Sequence, residues 1–328
     1  MSRLLEFDIA KAICIVLVVM GHYAVDNPAW WITTHDIIYT FHMPLFLFAS
    51  GFIYIAFKKN ERYGSFLLKK VKRLLVPYYV TSIIVVSIKI LTQSFLYVEN
   101  PVTLSSYIKI LYLPEAGFFL WFIWVLWWLF CIVPLFYTRM SRTVLFFFFF
   151  LLHYASPYID LPEIFCIKEL ANGAIWFMLG VMCYDWKAVL DNVKGNQVCI
   201  TLILFLMIIV LPNACDLTDL VVVNRWRQLI YMLQPYIGIV FIMCIAKWLS
   251  QHSVPQVILT LSLSSYMIYL FHTTFMGFTK ALLMKIPLMG EVPVLSIIIV
   301  VLSGVVFPIV LSNFFERYRL TRFLFGIR

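Results

Sequence analysis

Ten apolar runs succeed one another along the 328 residues, and no other feature constrains the fold as strongly. They lie roughly at 7–26, 37–57, 74–97, 117–138, 143–159, 167–184, 197–213, 228–248, 257–278 and 293–315. A helix that crosses the hydrocarbon core of a bilayer needs about 20 mostly apolar residues. Backbone in lipid must satisfy its own N–H and C=O groups, and continuous apolar runs do so as α-helices. The runs therefore predict an all-α, polytopic bundle of about 10 transmembrane helices. The fifth and seventh are the shortest. No polar stretch between runs exceeds roughly 20 residues, the length of one span, so the expectation is a single membrane-embedded domain over 1–328. The first run has signal-peptide length, but no small-residue cleavage site follows it, and Lys11 and His22 interrupt it. It reads as a retained span.

Composition agrees. The chain is 63% hydrophobic and 12% charged, with a mean hydropathy of +0.95. Soluble domains carry about twice that share of charge. The net charge of +9 does not suggest nucleic acid, because the basic residues fall between the apolar runs rather than on one soluble face. Orientation explains them better. With the N-terminus in the cytoplasm, 17 of the 25 Lys and Arg residues fall on the inner side and 6 on the outer, leaving Lys11 and Lys89 within spans. That asymmetry predicts both termini cytoplasmic, in a cell (inner) membrane. None of the seven cysteines forms a CxxC pair; they read as small buried hydrophobes, without a metal or disulfide framework.

Ionisable groups inside a bilayer are costly and mark functional sites by default. The first run, "FDIAKAICIVLVVMGHY", holds three. Asp8 and Lys11 form an i, i+3 pair near its cytoplasmic end. His22 follows Lys11 by about three helical turns, on the same face and about 16 Å away. The second run, "TFHMPLFLFASGF", places His42 in its outer part, before Pro44. The ninth, "SLSSYMIYLFHTTF", places His272 in its outer half, above Tyr269. Three histidines from three helices thus share one depth. Each alone could be satisfied by a hydroxyl or carbonyl; together they point to a site. A metal is the weaker reading, since no carboxylate or thiolate stands at ligand spacing beside them.

Other residues carry two readings each. The basic loop "KKNERYGSFLLKKVKRLLVPYY", with Lys70, Lys72 and Arg73, is a topology anchor on anionic headgroups or a phosphate-binding surface. Trp121 and Trp124 belong to an interfacial aromatic belt or to a stacking wall for a sugar or acyl group. Arg225 and Arg227 sit on the side that topology leaves poor in cations, where they could hold an anionic acceptor. His35, His153 and His252 call for no functional reading.

At these residues the chain resembles the membrane-bound acyltransferase-3 family, and most closely its fucose 4-O-acetylase-like branch. "FDIAKAICIVLVVMGHY" is similar to the family's first-helix signature, a basic residue, ten others and histidine. "FHMPLFLFASGF", "KKVKRLLVPYY" and "SLSSYMIYLFH" resemble its second helix, its basic entry to the third and its late histidine helix. Much of the family has arginine where Lys11 stands; lysine is usual in the acetylase-like branch. No extracellular hydrolase-like domain follows, which implies a standalone transferase. The resemblance implies transfer of an acyl group, commonly acetyl, from cytoplasmic acyl-CoA to a hydroxyl of an envelope glycan or lipid-linked saccharide.

A sugar hydroxyl needs a base that titrates near neutral pH, and histidine is the usual choice. The expected roles follow. His22 is the general base or acyl acceptor, His42 polarises the thioester or relays a proton, and His272 orients one of them or contacts the acceptor. Lys11, Lys70, Lys72 and Arg73 hold acetyl-CoA or another acyl-CoA, with no metal. Asp8, Trp121, Trp124, Arg225, Arg227 and Tyr269 surround the substrates. The competing class is a transporter or flippase for a glycan-bearing lipid, against which no internal repeat and no matched pair of broken helices is found.

Overall fold

The computed structural model describes residues 4–23, 28–136, 138–186, 193–214, 221–286 and 292–327, with side chains left out over 221–227. These residues form ten long helices. They are α1 (Leu5–Gly21), α2 (Ala29–Ala56), α3 (Tyr63–Thr92), α4 (Phe118–Leu135), α5 (Arg139–Ala155), α6 (Ile164–Cys183), α7 (Gly195–Ala214), α8 (Val221–Ser250), α9 (Gln256–Leu283) and α10 (Pro293–Phe315). A short α11 (Arg319–Leu324) follows. Eight of the ten are long and apolar enough to cross a membrane, whereas α1 and α5 have 17 residues each. Among the described residues there is no strand. The protein is an all-α polytopic membrane bundle. Cys14, Cys131, Cys166, Cys183, Cys199 and Cys244 are free thiols, and Cys215 lies outside the described residues.

α1 lies at the centre and packs against α2, α8, α9 and α10. Ile9, Ile15 and Val19 on it are fully enclosed. α2 and α6 cross closely at small residues. A methyl group at Gly51 would overlap the Phe177 carbonyl, and one at Gly180 the Phe48 carbonyl. Glycine here lets two backbones meet where lipid supplies no hydrophobic drive for association. α5 and α7 are peripheral, and α7 has no buried side chain before its π-helical turn at Leu206–Val210.

The structure corrects one sequence expectation that matters for the site and adds one feature to it. The basic segment before the third run is no loop: Lys69, Lys70, Lys72 and Arg73 lie on α3 itself, which starts at Tyr63. Val71–Leu75 forms a π-helical turn there. Pro77, just beyond, has no N–H to return to the Arg73 carbonyl, so the ladder is interrupted at this point. Gly326 lies beside that same carbonyl, which a Cβ there would approach to 3.0 Å, and its φ of +63° favours glycine. Phe325 beside it is 3% exposed and stacks on Phe315, closing the basic end of the bundle.

The added feature is the connection from α3 to α4. It does not simply loop away: it runs back along α3. Gln93 pairs with the backbone of Val102, Ser87 with the Tyr107 hydroxyl, and Tyr78 donates to the Ile110 and Leu113 carbonyls at 3.0 and 2.8 Å. From Gln93 to Tyr78 is about 22 Å of helix. Irregular backbone survives at such depth only where protein covers it, and Val102 and Ile110 are buried. This strap delivers Phe118, Phe119 and Leu120 to the centre of the bundle.

Candidate active site

α1 and α9 run side by side and meet at both ends. At the basic end, the Asp8 carboxylate receives Lys11 Nζ at 2.8 Å and the Ser262 hydroxyl at 2.9 Å. The neighbouring Glu6–Lys247 pair, at 3.7 Å, ties α1 to α8. A 3-residue spacing on α1 and one hydroxyl on α9 therefore neutralise a carboxylate that is 8% exposed. Satisfying both charges this way is what makes their burial tolerable.

At the other end, the His22 and His272 rings lie 5.0 Å apart, centroid to centroid. Phe119, delivered by the strap, packs edge-on against both, at 5.9 and 5.0 Å. His272 is fully buried. Its Nδ1 donates to the carbonyls of Ile268 and Tyr269, at 3.0 and 2.9 Å. Carbonyls only accept, so the neutral ring carries its proton on Nδ1 and its lone pair on Nε2. That Nε2 is enclosed and has no hydrogen-bond partner among the described residues. A buried polar atom without a partner is uncommon and calls for a functional explanation. His22 is half-buried, at the last turn of α1, and no hydrogen bond of its ring is found among the described residues.

His42 is 2% exposed and donates its Nδ1 proton to the Ile38 carbonyl at 2.8 Å, which leaves Nε2 as an acceptor in the same way. It reaches the pair through Tyr39, whose ring lies 4.9 Å from His42 and 6.4 Å from His22. Tyr39 also stacks on His35 at 4.3 Å. Tyr39 and Phe119 are the neighbours that histidine spacing alone did not single out. One signal was present for Tyr39: "HDIIYTFH" repeats aromatic and imidazole rings at i, i+4 and i+7, one helical face.

The remaining candidates fall in different places. Tyr269, 7% exposed, donates its hydroxyl to the Phe119 carbonyl at 2.7 Å and so fixes the strap above His272. Trp124 is enclosed by Tyr78, Tyr79 and Phe165. Trp121 instead lines a cavity between α2, α4, α5, α6 and α8. At the basic end, Lys70 Nζ sits 3.5 Å from the Phe130 ring centroid, a cation–π contact. Lys72 and Arg73 are exposed, and Arg73 lies within electrostatic reach of Tyr266. Arg225 and Arg227 are on the first turns of α8, with side chains outside the described residues. Among the described residues, no group of three His, Cys, Asp or Glu side chains could hold a metal ion.

A helical membrane bundle that encloses an unpartnered imidazole nitrogen beside a second histidine defines a multi-pass membrane protein with titratable groups buried among its spans. The family comparison makes the class specific: the acyltransferase-3 model, described as an acyltransferase domain, matches residues 4–313. The chain belongs to that family and is a membrane acyltransferase. No curated protein and no solved structure matches it.

Proposed function

We propose that the protein transfers an acyl group, acetyl in the first instance, from cytoplasmic acyl-CoA to a hydroxyl of an envelope glycan or lipid-linked saccharide, in the cell membrane. The observation that carries this reading is the His22–His272 pair, with its buried and unpartnered Nε2. His22 is the proposed general base. It takes the proton of the acceptor hydroxyl as that oxygen attacks the thioester carbonyl. The tetrahedral intermediate then expels the CoA sulfur, which recovers the proton from the His22 imidazolium. One C–O bond forms, one C–S bond breaks, and the products are an ester and free CoA thiol. His272 Nε2 accepts a hydrogen bond from the acceptor or the imidazolium and orients it. His42 stands one ring away, through Tyr39.

The donor side is proposed at the opposite end. Lys11 and the α3 cations Lys70, Lys72 and Arg73 are compatible with CoA phosphates. The distance from Lys11 to His22, about 16 Å along α1, suits an extended pantetheine arm. The test is purified protein in nanodiscs with labelled acetyl-CoA and envelope extract as acceptor. Acyl transfer with CoA release is the expected result. Full transfer by a stably folded His22→Ala variant would overturn the role of His22, and acceptor movement without CoA release would overturn the reaction.

A further inference from the structure

We propose that the cavity lined by Trp121 is a saccharide subsite that holds a neutral pyranose ring of the acyl acceptor. The inference rests on the reading of this protein as a glycan acyltransferase. The cavity has a volume of about 530 Å³, within the range of small-ligand sites. It shares its inner wall with the histidine cluster but faces the other way. Phe118 lines the cavity while Phe119 touches His22 and His272, and Met43 lines it next to His42. The two sites are therefore neighbours across α2 and the start of α4.

The lining is of two kinds. Trp121, Trp176, Leu47 and Pro235 give aromatic and aliphatic surface. His153, Glu169 and Asn172 bring polar atoms to the same space. Two of these groups are held by neighbours. His153 Nδ1 donates to the Asn172 carbonyl at 2.7 Å, which leaves its Nε2 as an acceptor. The Ser156 hydroxyl lies within hydrogen-bond reach of both the His153 carbonyl and the Asn172 side-chain amide, and its one proton serves one of them. The Glu169 carboxylate makes no side-chain hydrogen bond or salt bridge among the described residues, and the neighbouring Lys168 acts on it only through space. The site thus offers two acceptors and a side-chain amide beside two indole rings.

That set selects among ligands. An acyl or prenyl chain would satisfy the apolar wall and leave all three polar groups unpaired, which is costly. A phosphate or anionic headgroup would meet the Glu169 carboxylate. A neutral pyranose presents a C–H face to indole and hydroxyls that both donate and accept. A saccharide held here would bring the adjoining part of the acceptor to the histidine side of the same wall.

The test is binding, not turnover. Protein in phospholipid nanodiscs is titrated with octyl β-glucoside, octyl β-galactoside and octyl β-N-acetylglucosaminide. Octylphosphocholine is the sugar-free comparison, and the readouts are thermal shift and saturation-transfer NMR. The expected result is saturable binding of at least one glycoside, at least tenfold weaker in Glu169→Gln and in Asn172→Ala. Both side chains reach the cavity from α6 without forming its core, so these variants decide the matter if Trp176→Ala fails to fold. Equal binding of octylphosphocholine, no saturable glycoside binding, or unchanged affinity in both variants would overturn the subsite. His22→Ala protein is expected to bind glycoside as the wild type does. Loss of transfer in that variant alongside absent glycoside binding would sink the subsite and leave the reaction standing. Retained transfer alongside normal glycoside binding would overturn the role of His22 and leave the subsite standing, and glycoside binding by wild-type protein that moves the acceptor without CoA release would overturn the reaction.

Discussion

His22 and His272 face each other at 5.0 Å from the two central helices α1 and α9, and the same two helices join Asp8 to Ser262 at the opposite end. Two widely separated sequence segments are thus held together by a polar contact at one end and a ring contact at the other. The spacing between the contacts is set by helix rise, so neither end shifts without the other.

Removing either imidazole of the pair is expected to lower acyl transfer by 10²- to 10⁴-fold, the usual worth of a positioned acid–base group. His272→Gln separates chemistry from packing, since it keeps polar atoms in the buried site but not the imidazole Nε2. Labelled-acetyl transfer, scaled to folded protein by size-exclusion chromatography, reads the effect. Wild-type rates in both His22→Ala and His272→Gln would remove the pair from the mechanism.

Lys11 tests the donor end. Replacing it by Gln is expected to raise KM for acyl-CoA at least fivefold while kcat changes less, the signature of lost ground-state binding. Asp8→Asn, which frees the Lys11 ammonium from its partner at 2.8 Å, is expected to change KM in a different ratio. A kcat loss with unchanged KM in Lys11→Gln would place Lys11 in the chemical step instead.

The α2–α6 crossing makes a stability prediction. Gly51→Ala and Gly180→Ala each set a methyl against a carbonyl of the facing helix. Overpacking of this kind costs about 1–3 kcal/mol, so the melting temperature in detergent should fall by several degrees. Gly277→Ala on α9 meets nothing within 4 Å. It should be neutral or slightly stabilising, since alanine is the better helix former by about 0.5–1 kcal/mol. Equal melting temperatures for all three would show that the crossing is looser than described.

Phe165 and Cys166 both hold φ near +56° where the chain enters α6. Such strain is of order 1–3 kcal/mol per residue. It is held by the Phe165 backbone, which donates to Tyr112 on the strap and accepts from Trp128 Nε1 at 3.0 Å. Cys166→Val, β-branched, should lower the melting temperature clearly, whereas Cys166→Gly should be tolerated. A Val variant as stable as wild type would show that the turn relaxes freely.

Much of this architecture is legible in the sequence. Apolar runs of spanning length must become helices, because backbone in lipid has no other partner. All ten expected segments overlap a long helix, although α2, α3 and α8 begin earlier than hydropathy suggests. Hydropathy marks where lipid begins, whereas a helix continues for as long as its own hydrogen bonds do. The Asp8–Lys11 contact follows from i, i+3 spacing, and the intramembrane histidines stand out because charge-bearing groups are rare at that depth.

The sequence by itself determined the class of fold, the ends of the bundle to which its polar residues belong and which titratable residues its spans carry, since each depends only on local composition and helical period. Tertiary structure alone decided which of them meet. It set His272 against His22 and His42 behind Tyr39, folded the strap back to bring in Phe119, and separated Trp121 from Trp124. These relations depend on rotation and crossing of helices far apart in the chain. Such angles are fixed by where glycines let backbones touch and where polar pairs close, and no single helix records them.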